Sequence, residues 1–366
     1  MENLGQLDVH EVKHYLERRV AASVQIEAVC ELRGEATGAT ALKRFGYGRP
    51  LLVEYQVEGR TMREVFHRIR RNAFGRERDD DRAAAVWLDF KTFNLLPRHV
   101  PAVDMIVRTG QGTLQSIQSA EELLLVTTYR PGHLYADDLV RIREEGSLQP
   151  VDTSRAEALA AYLARIHQVK HDDPTLWRRR LRDLVGHGEG IMGLTDSYPA
   201  DVPYVTAGEL RWIEEAANRW RWRLKPRNHR LSQVHGDFHP FNVLLTGLDY
   251  DLLDRSRGEW GEPADDVSCM TINYLFFSLQ RSGRLEGPFR ELHDQFWERY
   301  LTLRPDPELL GVIQPWFAWR ALVLASPVWY PTLAEDTRRK LLMSACRVLS
   351  TEQYDYHQVN QYLEED

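Results

Sequence analysis

The hydrophobic pattern of the chain changes period near residue 130, and this change limits the folds that the sequence can adopt. Before it, β-branched and aromatic residues cluster in short runs that are typical of strands, at 23–32, 50–58, 61–70, 102–108 and 122–128. A helical period begins at Asp81 and ends before Pro97. The first part of the chain is therefore predicted to be a hairpin-rich antiparallel sheet with one helix leaning on it.

The second part of the chain follows a break at Arg130-Pro131-Gly132, where a fixed φ angle precedes a permissive residue. Beyond the break the pattern is mainly helical, and Ser154 with Glu157 has the spacing of a capping box. The chain is thus predicted to be an α+β protein with domains at 1–128 and 129–366.

Composition excludes several classes of protein. The 366 residues include 47 Lys and Arg against 54 Asp and Glu, a net charge of -7, which lacks the basic excess of a dedicated nucleic-acid binder. No run approaches the roughly 20 apolar residues of a membrane helix, and the first residues are too charged for a signal peptide. We expect a cytoplasmic protein without a nucleic-acid or membrane partner; the oligomeric state stays open.

Polar side chains concentrate in the segment VHGDFHPFNVLL, residues 234–245, and in the run that follows it. Asp237 and Asn242 lie five residues apart, and Asp254 ends the next apolar run twelve residues later. Mg²⁺ prefers hard oxygen ligands and keeps part of its water, so Asn242 and Asp254 suffice as protein ligands beside phosphate oxygens. Asp237 is then left to orient an attacking hydroxyl and accept its proton.

This segment resembles the catalytic loop of the aminoglycoside phosphotransferase and choline kinase family, H-x-D-x-x-x-x-N. Downstream, residues 261–267 resemble the family segment G-D-P-x-x-D-hydrophobic. The resemblance implies that Asp237 is the base, that Asn242 and Asp254 hold Mg²⁺, and that Asp266 supports the catalytic loop. His235 is expected to brace the loop.

The resemblance also implies a protein-kinase-like fold with two lobes. A small antiparallel β-sheet lobe with one helix, 1–128, would bind nucleotide, and a larger, mainly helical lobe, 129–366, would hold the catalytic loop and the substrate pocket. The hinge is expected at about 125–132. Ahead of the loop, Leu163 and His167 fit the family pattern L-x-x-x-H, and His167 is expected to make packing and hydrogen-bond contacts in the helix bundle.

A family member needs a cation on the third strand to hold the nucleotide phosphates, yet residues 61–71 contain no lysine. His67 is favoured for this role and Arg68 comes next. Asp81 and Asp89 are the candidates for the acidic partner on the helix that follows. Gly34 and Gly38 either contact phosphate through backbone N–H groups or form a plain hairpin turn.

The acceptor site is indicated only in outline. Glu262 and Asp265 follow the predicted metal site, and such an acidic field favours a cationic acceptor. Trp316 and Trp319 either pack in the core or, as the resemblance implies, wall the acceptor pocket. The glycine-rich run 186–190 is interpreted as a loop near the substrate, and the basic run 178–182 as a solvated helix face.

The resemblance as a whole implies a kinase that transfers the γ-phosphoryl group of ATP or GTP to a hydroxyl of a small acceptor such as an aminoglycoside or a related antibiotic. Two alternatives remain. One is a pseudokinase that binds nucleotide without transfer, prompted by the missing lysine. The other is a metallophosphatase, prompted by Gly-Asp-x-His at 236–239, although the further metal-binding blocks of that class do not occur in the sequence.

Overall fold

The computed structural model describes residues 7–31, 50–95, 100–122, 125, 127–255 and 257–364. Within it the chain divides into two compact units, Met1–Thr127 and Thr128–Asp366. Gly34 and Gly38 lie outside the described residues.

The first unit is built on a three-stranded antiparallel sheet, whose strands lie side by side in chain order, and the first helix packs on it. Its elements are α1 (Val9–Val20), β1 (Val24–Glu31), β2 (Leu51–Val57), β3 (Arg60–Phe66), α2 (Asp79–Thr92), β4 (Ile106–Arg108) and β5 (Leu114–Ser116). Asp8 begins α1 as its N-cap by accepting a hydrogen bond from the amide of His10, and the helix buries Val12 and Leu16 against Val53.

Some expectations for this unit differ from the structure. The third strand ends at Phe66 rather than near residue 70, and the described residues among 122–128 lie outside any strand. No residue of α2 is buried, so the apolar spacing from Ala83 onward does not become a core face within this unit. The apolar period of this segment therefore predicts a helix correctly, but it does not predict whether the helix is buried.

The second unit is a helix bundle around a large aromatic and aliphatic core. Its helices are α3 (Tyr135–Glu145), α4 (Pro150–Ile166), α5 (Pro174–Gly186), α6 (Ile191–Asp196), α7 (Ala207–Leu224), α8 (Pro263–Ser282), α9 (Gly287–Leu303), α10 (Gln314–Ala325) and α11 (Glu335–Ser350). Every residue of α8 from Pro263 to Leu279 is buried, so this helix forms the centre of the bundle. Among the described residues, no helix has the length and hydropathy to span a membrane.

Short strands in the second unit connect the helices to the polar segment. They are β6 (His133–Leu134), β7 (Ser232–Gln233), β8 (Val243–Thr246), β9 (Asp249–Leu252) and β10 (Trp260–Gly261), paired as β6-β8-β9 and β10-β7. The hairpin β8–β9 turns at Gly247, whose φ of +67° lies in the left-handed region that glycine adopts without strain.

The predicted capping box at Ser154 and Glu157 is wrong, because α4 begins four residues earlier than Ser154. Pro150 occupies the first turn, where its missing N–H is no loss, and the Asp152 carboxylate accepts a hydrogen bond of 2.7 Å from the Gln149 amide. Ser154 instead donates to the carbonyl of Pro150 from within the helix.

Candidate active site

The polar loop lies between β7 and β8 and is shaped by its own sequence. Gly236 has a φ of +89°, in the left-handed region that a residue with a side chain rarely adopts. A short 3₁₀ turn, Pro240–Asn242, follows and begins at His239, whose Nδ1 accepts a hydrogen bond from the Phe241 amide. Asp237 therefore lies between a left-handed glycine and a 3₁₀ turn.

The carboxylate of Asp266, at the start of α8, holds the loop in place. Its oxygens accept hydrogen bonds of 2.7 Å from each of the backbone amides of His235 and Gly236. His167 places Nε2 3.1 Å from Asp266 Oδ2 and Nδ1 2.8 Å from the Tyr300 hydroxyl. Burial alone would raise the pKa of Asp266, but the hydrogen bond from His167 and the loop amides lower it. Asp266 thus remains an anion that fixes the loop to α8.

The two oxygens of Asp237 have different surroundings. Oδ1 lies 2.6 Å from Nη1 of Arg320 and 2.6 Å from Nη1 of Arg257. Oδ2 lies 3.6 Å from Nε2 of His239, beyond hydrogen-bond distance. Burial would raise the pKa of this carboxyl, whereas Arg320, His239 and Arg257 hold it well below its usual range. Asp237 is therefore ionised and is held by one oxygen.

Arg320 also connects Asp237 to a second buried carboxylate, Asp265. Arg320 Nη2 donates to Asp265 Oδ1 at 2.5 Å and to the Gly236 carbonyl at 3.1 Å. Arg180, from α5, lies 3.5 Å from the other oxygen of Asp265 and donates to the Arg257 carbonyl at 2.7 Å. Arg180 is thus part of the site, and the interpretation of its helix segment as a wholly solvated face is wrong for this residue.

The hairpin β8–β9 brings Asn242 and Asp254 together. Its register pairs Val243 with Leu252, and one step further the amide of Leu253 donates to the Asn242 carbonyl at 2.9 Å. The side-chain amide of Asn242 donates to the Asp237 carbonyl at 3.0 Å, so Oδ1 is the side-chain atom of Asn242 that can bind a cation. Asp254 is exposed and has a φ of 51°.

The oxygens of Asn242 and Asp254 fit a hard divalent cation that completes its coordination with phosphate and water. Among the described residues there is no group of three or more His, Cys, Asp or Glu side chains that could hold a metal by protein ligands alone. A magnesium ion bound here would therefore depend on ligands supplied by a phosphate group.

Glu262 and Asp265 do not present a free acidic field. Both oxygens of Glu262 accept from Arg230, at distances from 2.5 to 3.0 Å, and the residue is 2% exposed. Asp265 is 1% exposed and is paired with Arg320 and Arg180. Their charges are balanced by arginines, so they give no support to a cationic acceptor.

The tryptophans of α10 pack in the core, and their place in the wall of an acceptor pocket remains a prediction. Trp316 and Trp319 are buried in the core of the second unit. Trp319 also donates its indole N–H to the Glu189 carbonyl at 2.7 Å and stacks under the Arg320 guanidinium at 4.1 Å from the ring centre. The glycine-rich run at 186–190 is thereby tied to the site, because Glu189 also pairs with Arg257 at 3.2 Å.

In the first unit, His67 and Arg68 follow the end of β3. His67 is exposed and Arg68 is half-buried. Of the acidic candidates, Asp81 accepts a hydrogen bond of 2.8 Å from the Arg78 amide, within the first turn of α2, and Asp89 is exposed. Their proposed part in holding phosphate remains a prediction.

Sequence reasoning missed three arginines of the site, Arg180, Arg257 and Arg320. Arg320 carried a signal, since it is the single charged residue in the otherwise apolar segment of α10. A buried charge must be paired, so such a residue indicates an acidic partner elsewhere in the chain. Nothing in the sequence shows that this partner is Asp237.

Solved structures that are similar to this chain include several small-molecule kinases. A glucosamine kinase in complex with glucosamine, ADP and inorganic phosphate is 19% identical, with 56% of this chain and 57% of that chain covered and a TM-score of 0.38. The amicoumacin kinase hAmiN, in complex with AMP-PNP, Ca²⁺ and Ami, is 15% identical over 96% of this chain and 100% of that chain, with a TM-score of 0.41. A Plasmodium vivax ethanolamine kinase is 11% identical over 94% of this chain and 81% of that chain, with a TM-score of 0.36.

No curated protein matches the sequence at a significant level. The sequence profile of the phosphotransferase enzyme family, APH, matches residues 54–306. This match covers more than half of the chain, including the loop, the hairpin and the start of α8. It confirms the resemblance, the protein-kinase-like α+β fold class, and an enzyme that transfers phosphoryl groups to a hydroxyl. The chain belongs to the phosphotransferase enzyme family.

Proposed function

We propose that this protein transfers the γ-phosphoryl group of ATP or GTP to a hydroxyl of a small molecule, with Asp237 as the base. The observation that supports this most directly is the asymmetry of Asp237. Oδ1 is held by Arg320 and Arg257, while Oδ2 lies on the side of His239 without a hydrogen bond to it. A carboxylate held in this way is suited to receive and orient an incoming hydroxyl.

In the proposed step, the acceptor oxygen forms a bond to the γ-phosphorus as the bond from that phosphorus to the bridging oxygen breaks. The nucleoside diphosphate leaves, and the acceptor proton passes to Asp237 Oδ2. Because the arginines keep the pKa of Asp237 low, this carboxylate is a weak base. Orientation is then its main contribution, and it receives the proton late, when the acceptor oxygen is already bonding to phosphorus, as suits a loose transition state.

Asn242 Oδ1 and the Asp254 carboxylate would hold Mg²⁺, which supplies charge neutralisation to the phosphates when bound. The pair is positioned by the hairpin, through the hydrogen bond between the Leu253 amide and the Asn242 carbonyl. His67, with Arg68 next, stays our candidate for the phosphate-binding cation, directly after the end of β3. The segment 125–132 stays our candidate for the hinge.

The acceptor is proposed as a small hydroxylated molecule, with aminoglycosides and related antibiotics as the first to test. Glu262 and Asp265 are neutralised by arginines, so the case for a positively charged acceptor no longer rests on them.

A second candidate function is nucleotide binding without transfer. It is favoured by the absence of lysine from residues 61–71, where a family member needs a cation. The two functions differ in whether labelled phosphate reaches an acceptor.

The test is transfer from labelled ATP and GTP with Mg²⁺ across a panel of aminoglycosides, other hydroxylated antibiotics, choline and sugars. Asp237→Asn keeps the size of the side chain and removes its negative charge, and we expect it to lower transfer by about 10²-fold or more. Asp249→Asn makes the same chemical change at an exposed position of β9 and serves as the control. Full transfer by Asp237→Asn would refute the role of Asp237, and nucleotide binding without transfer to any acceptor would favour the second function.

A further inference from the structure

We propose that Arg320 is the positioning residue of the site: it fixes the Asp237 carboxylate so that Oδ2 faces the acceptor hydroxyl. This inference rests on the proposed function and goes beyond it, because the family motifs contain no residue from α10. Arg320 lies 83 positions beyond Asp237 in the chain.

The contacts of Arg320 fix two neighbouring residues of the loop at once. Nη1 donates to Asp237 Oδ1 at 2.6 Å, while Nη2 donates to the carbonyl of Gly236 at 3.1 Å. One planar group therefore sets both the side chain of Asp237 and the backbone immediately before it. A partial rotation of the carboxylate about χ2 would lengthen the hydrogen bond from Nη1, whereas a half turn only exchanges its two equivalent oxygens.

The guanidinium is itself held rigidly. It donates to Asp265 Oδ1 at 2.5 Å and lies over the Trp319 ring at 4.1 Å from the centre. Arg320 is 4% exposed and projects from a helix whose other residues are uncharged. The helix and the ring therefore limit the motion of the group that holds Asp237.

One feature of Arg320 is unfavourable for stability. Its Nε–H is buried without a hydrogen-bond partner among the described residues. An unpaired buried donor typically costs about 1 to 3 kcal/mol. An arrangement with this cost fits a side chain that positions Asp237 better than one that only contributes to stability.

Lysine cannot replace these contacts. Its ammonium is a single point charge, whereas the planar guanidinium reaches a carboxylate and a carbonyl with separate nitrogens. Arg320→Lys therefore keeps the charge near Asp237 but loses the geometry. Because small misplacements of a reacting group are costly, we expect kcat to fall by about 10²-fold, with the KM values for nucleotide and acceptor nearly unchanged.

The matched control is Arg155→Lys. Arg155 is also buried and also joins a carboxylate to a backbone carbonyl, with Asp138 Oδ2 at 2.6 Å and the Gly247 carbonyl at 2.8 Å. It has no contact with Asp237. A loss of stability should be similar in the two variants, whereas a loss of kcat per folded molecule should occur only in Arg320→Lys.

The experiment combines steady-state kinetics of the wild type, Arg320→Lys, Arg320→Met and Arg155→Lys with crystal structures of the wild type and the Arg320 variants. A fall in kcat confined to the Arg320 variants, with Asp237 rotated in their structures, supports the inference. Unchanged kcat overturns it, and so does a rise in acceptor KM alone, which would make Arg320 a binding residue.

The structures also separate this inference from the proposed function. If the wild type transfers phosphate to no acceptor, the proposed function fails, and the side-chain angle of Asp237 still decides the role of Arg320. A carboxylate that keeps its position in Arg320→Lys or Arg320→Met overturns that role; a rotated one supports it. Should the methionine variant not fold, the lysine variant gives the same decision.

Discussion

At the scale of single residues, Asp254 is the exposed ligand of the proposed metal pair, opposite the buried Asn242. We expect Asp254→Asn to raise the Mg²⁺ concentration that gives half-maximal transfer by at least 10- to 100-fold, since loss of even an outer-shell partner costs about that much in metal affinity. The measurement is a Mg²⁺ titration of activity at saturating nucleotide. Asp249→Asn, which removes a charge from the same hairpin, should leave this titration unchanged; an equal shift in both variants would show a general electrostatic effect.

The proximity of residues that are close in sequence could be predicted from the chain itself, whereas their roles remain predictions. Asp237, Asn242 and Asp254 lie within one loop and one hairpin, so the chain itself sets their separation. Glu262 and Asp265 were misjudged because their charge is balanced by Arg230 and Arg320, which are distant in sequence. The sequence indicates where a charge occurs, but the packing decides whether it is free.

At the scale of elements, two glycines should respond to alanine with opposite signs. Gly247 turns the hairpin β8–β9 with a φ of +67°, and a Cβ there meets no atom within 4 Å, so the cost of Gly247→Ala is backbone strain of roughly 1 to 2 kcal/mol. Gly208 lies in the first turn of α7 without a positive φ, and a Cβ there has only an ordinary contact with Thr206. Gly208→Ala should stabilise the protein by about 0.5 to 1 kcal/mol.

Urea unfolding of the two glycine variants, beside the wild type, measures both changes. A stabilised Gly247→Ala would mean that the turn does not hold a left-handed backbone in solution. Destabilisation by Gly208→Ala would place the start of α7 elsewhere.

Helices were predictable wherever period and capping agreed. In α7, the N-cap Thr206 comes directly before the helical residues and forms a capping box with Glu209. For α4, two patterns compete, and Pro150 with Asp152 starts the helix before Ser154 is reached. The strands near residues 102–128 were overestimated because a β-rich composition does not specify whether a partner strand is available.

At the scale of the whole molecule, stability should fall at mildly acidic pH. His167 and His293 are buried, and burial lowers the pKa of each below its ordinary value of 6.5 despite neighbouring aspartates. The unfolded chain therefore binds protons at a higher pH than the folded one. The contribution of the two neutral rings to the free energy of unfolding is complete above about pH 6.5. It is lost as the pH falls towards the pKa values of the folded state, by up to about 1.4 kcal/mol per pH unit for each histidine.

Unfolding free energies at pH 7.5 and pH 5.5 measure this loss. His293→Gln should reduce the pH dependence, whereas His14→Gln, at an exposed position of α1, should leave it unchanged. Equal pH dependence in the wild type and His293→Gln would contradict the assignment of a neutral buried ring.

The division of the chain into β-rich and helical parts followed from its change of period, whereas the arginines around Asp237 did not. Arg180 comes from α5, Arg257 from the segment before β10, and Arg320 from α10. Arg257 and Arg320 pair with Asp237, while Arg180 pairs with Asp265. Only the tertiary packing brings these three arginines, which are far apart in sequence, to the same site. Local sequence patterns therefore predict the loop, whereas the arginines around it are brought there by the packing of the helix bundle.

At Asp254, the residue type that the proposed activity needs differs from the one that the backbone conformation favours. Its φ of 51° lies in a region that glycine occupies without strain and aspartate only at some cost. Glycine here would relax the chain but remove a proposed ligand. If Asp254 binds metal as proposed, the protein accepts a less stable hairpin end in exchange for function, and selection for thermostability alone would be expected to discard this residue.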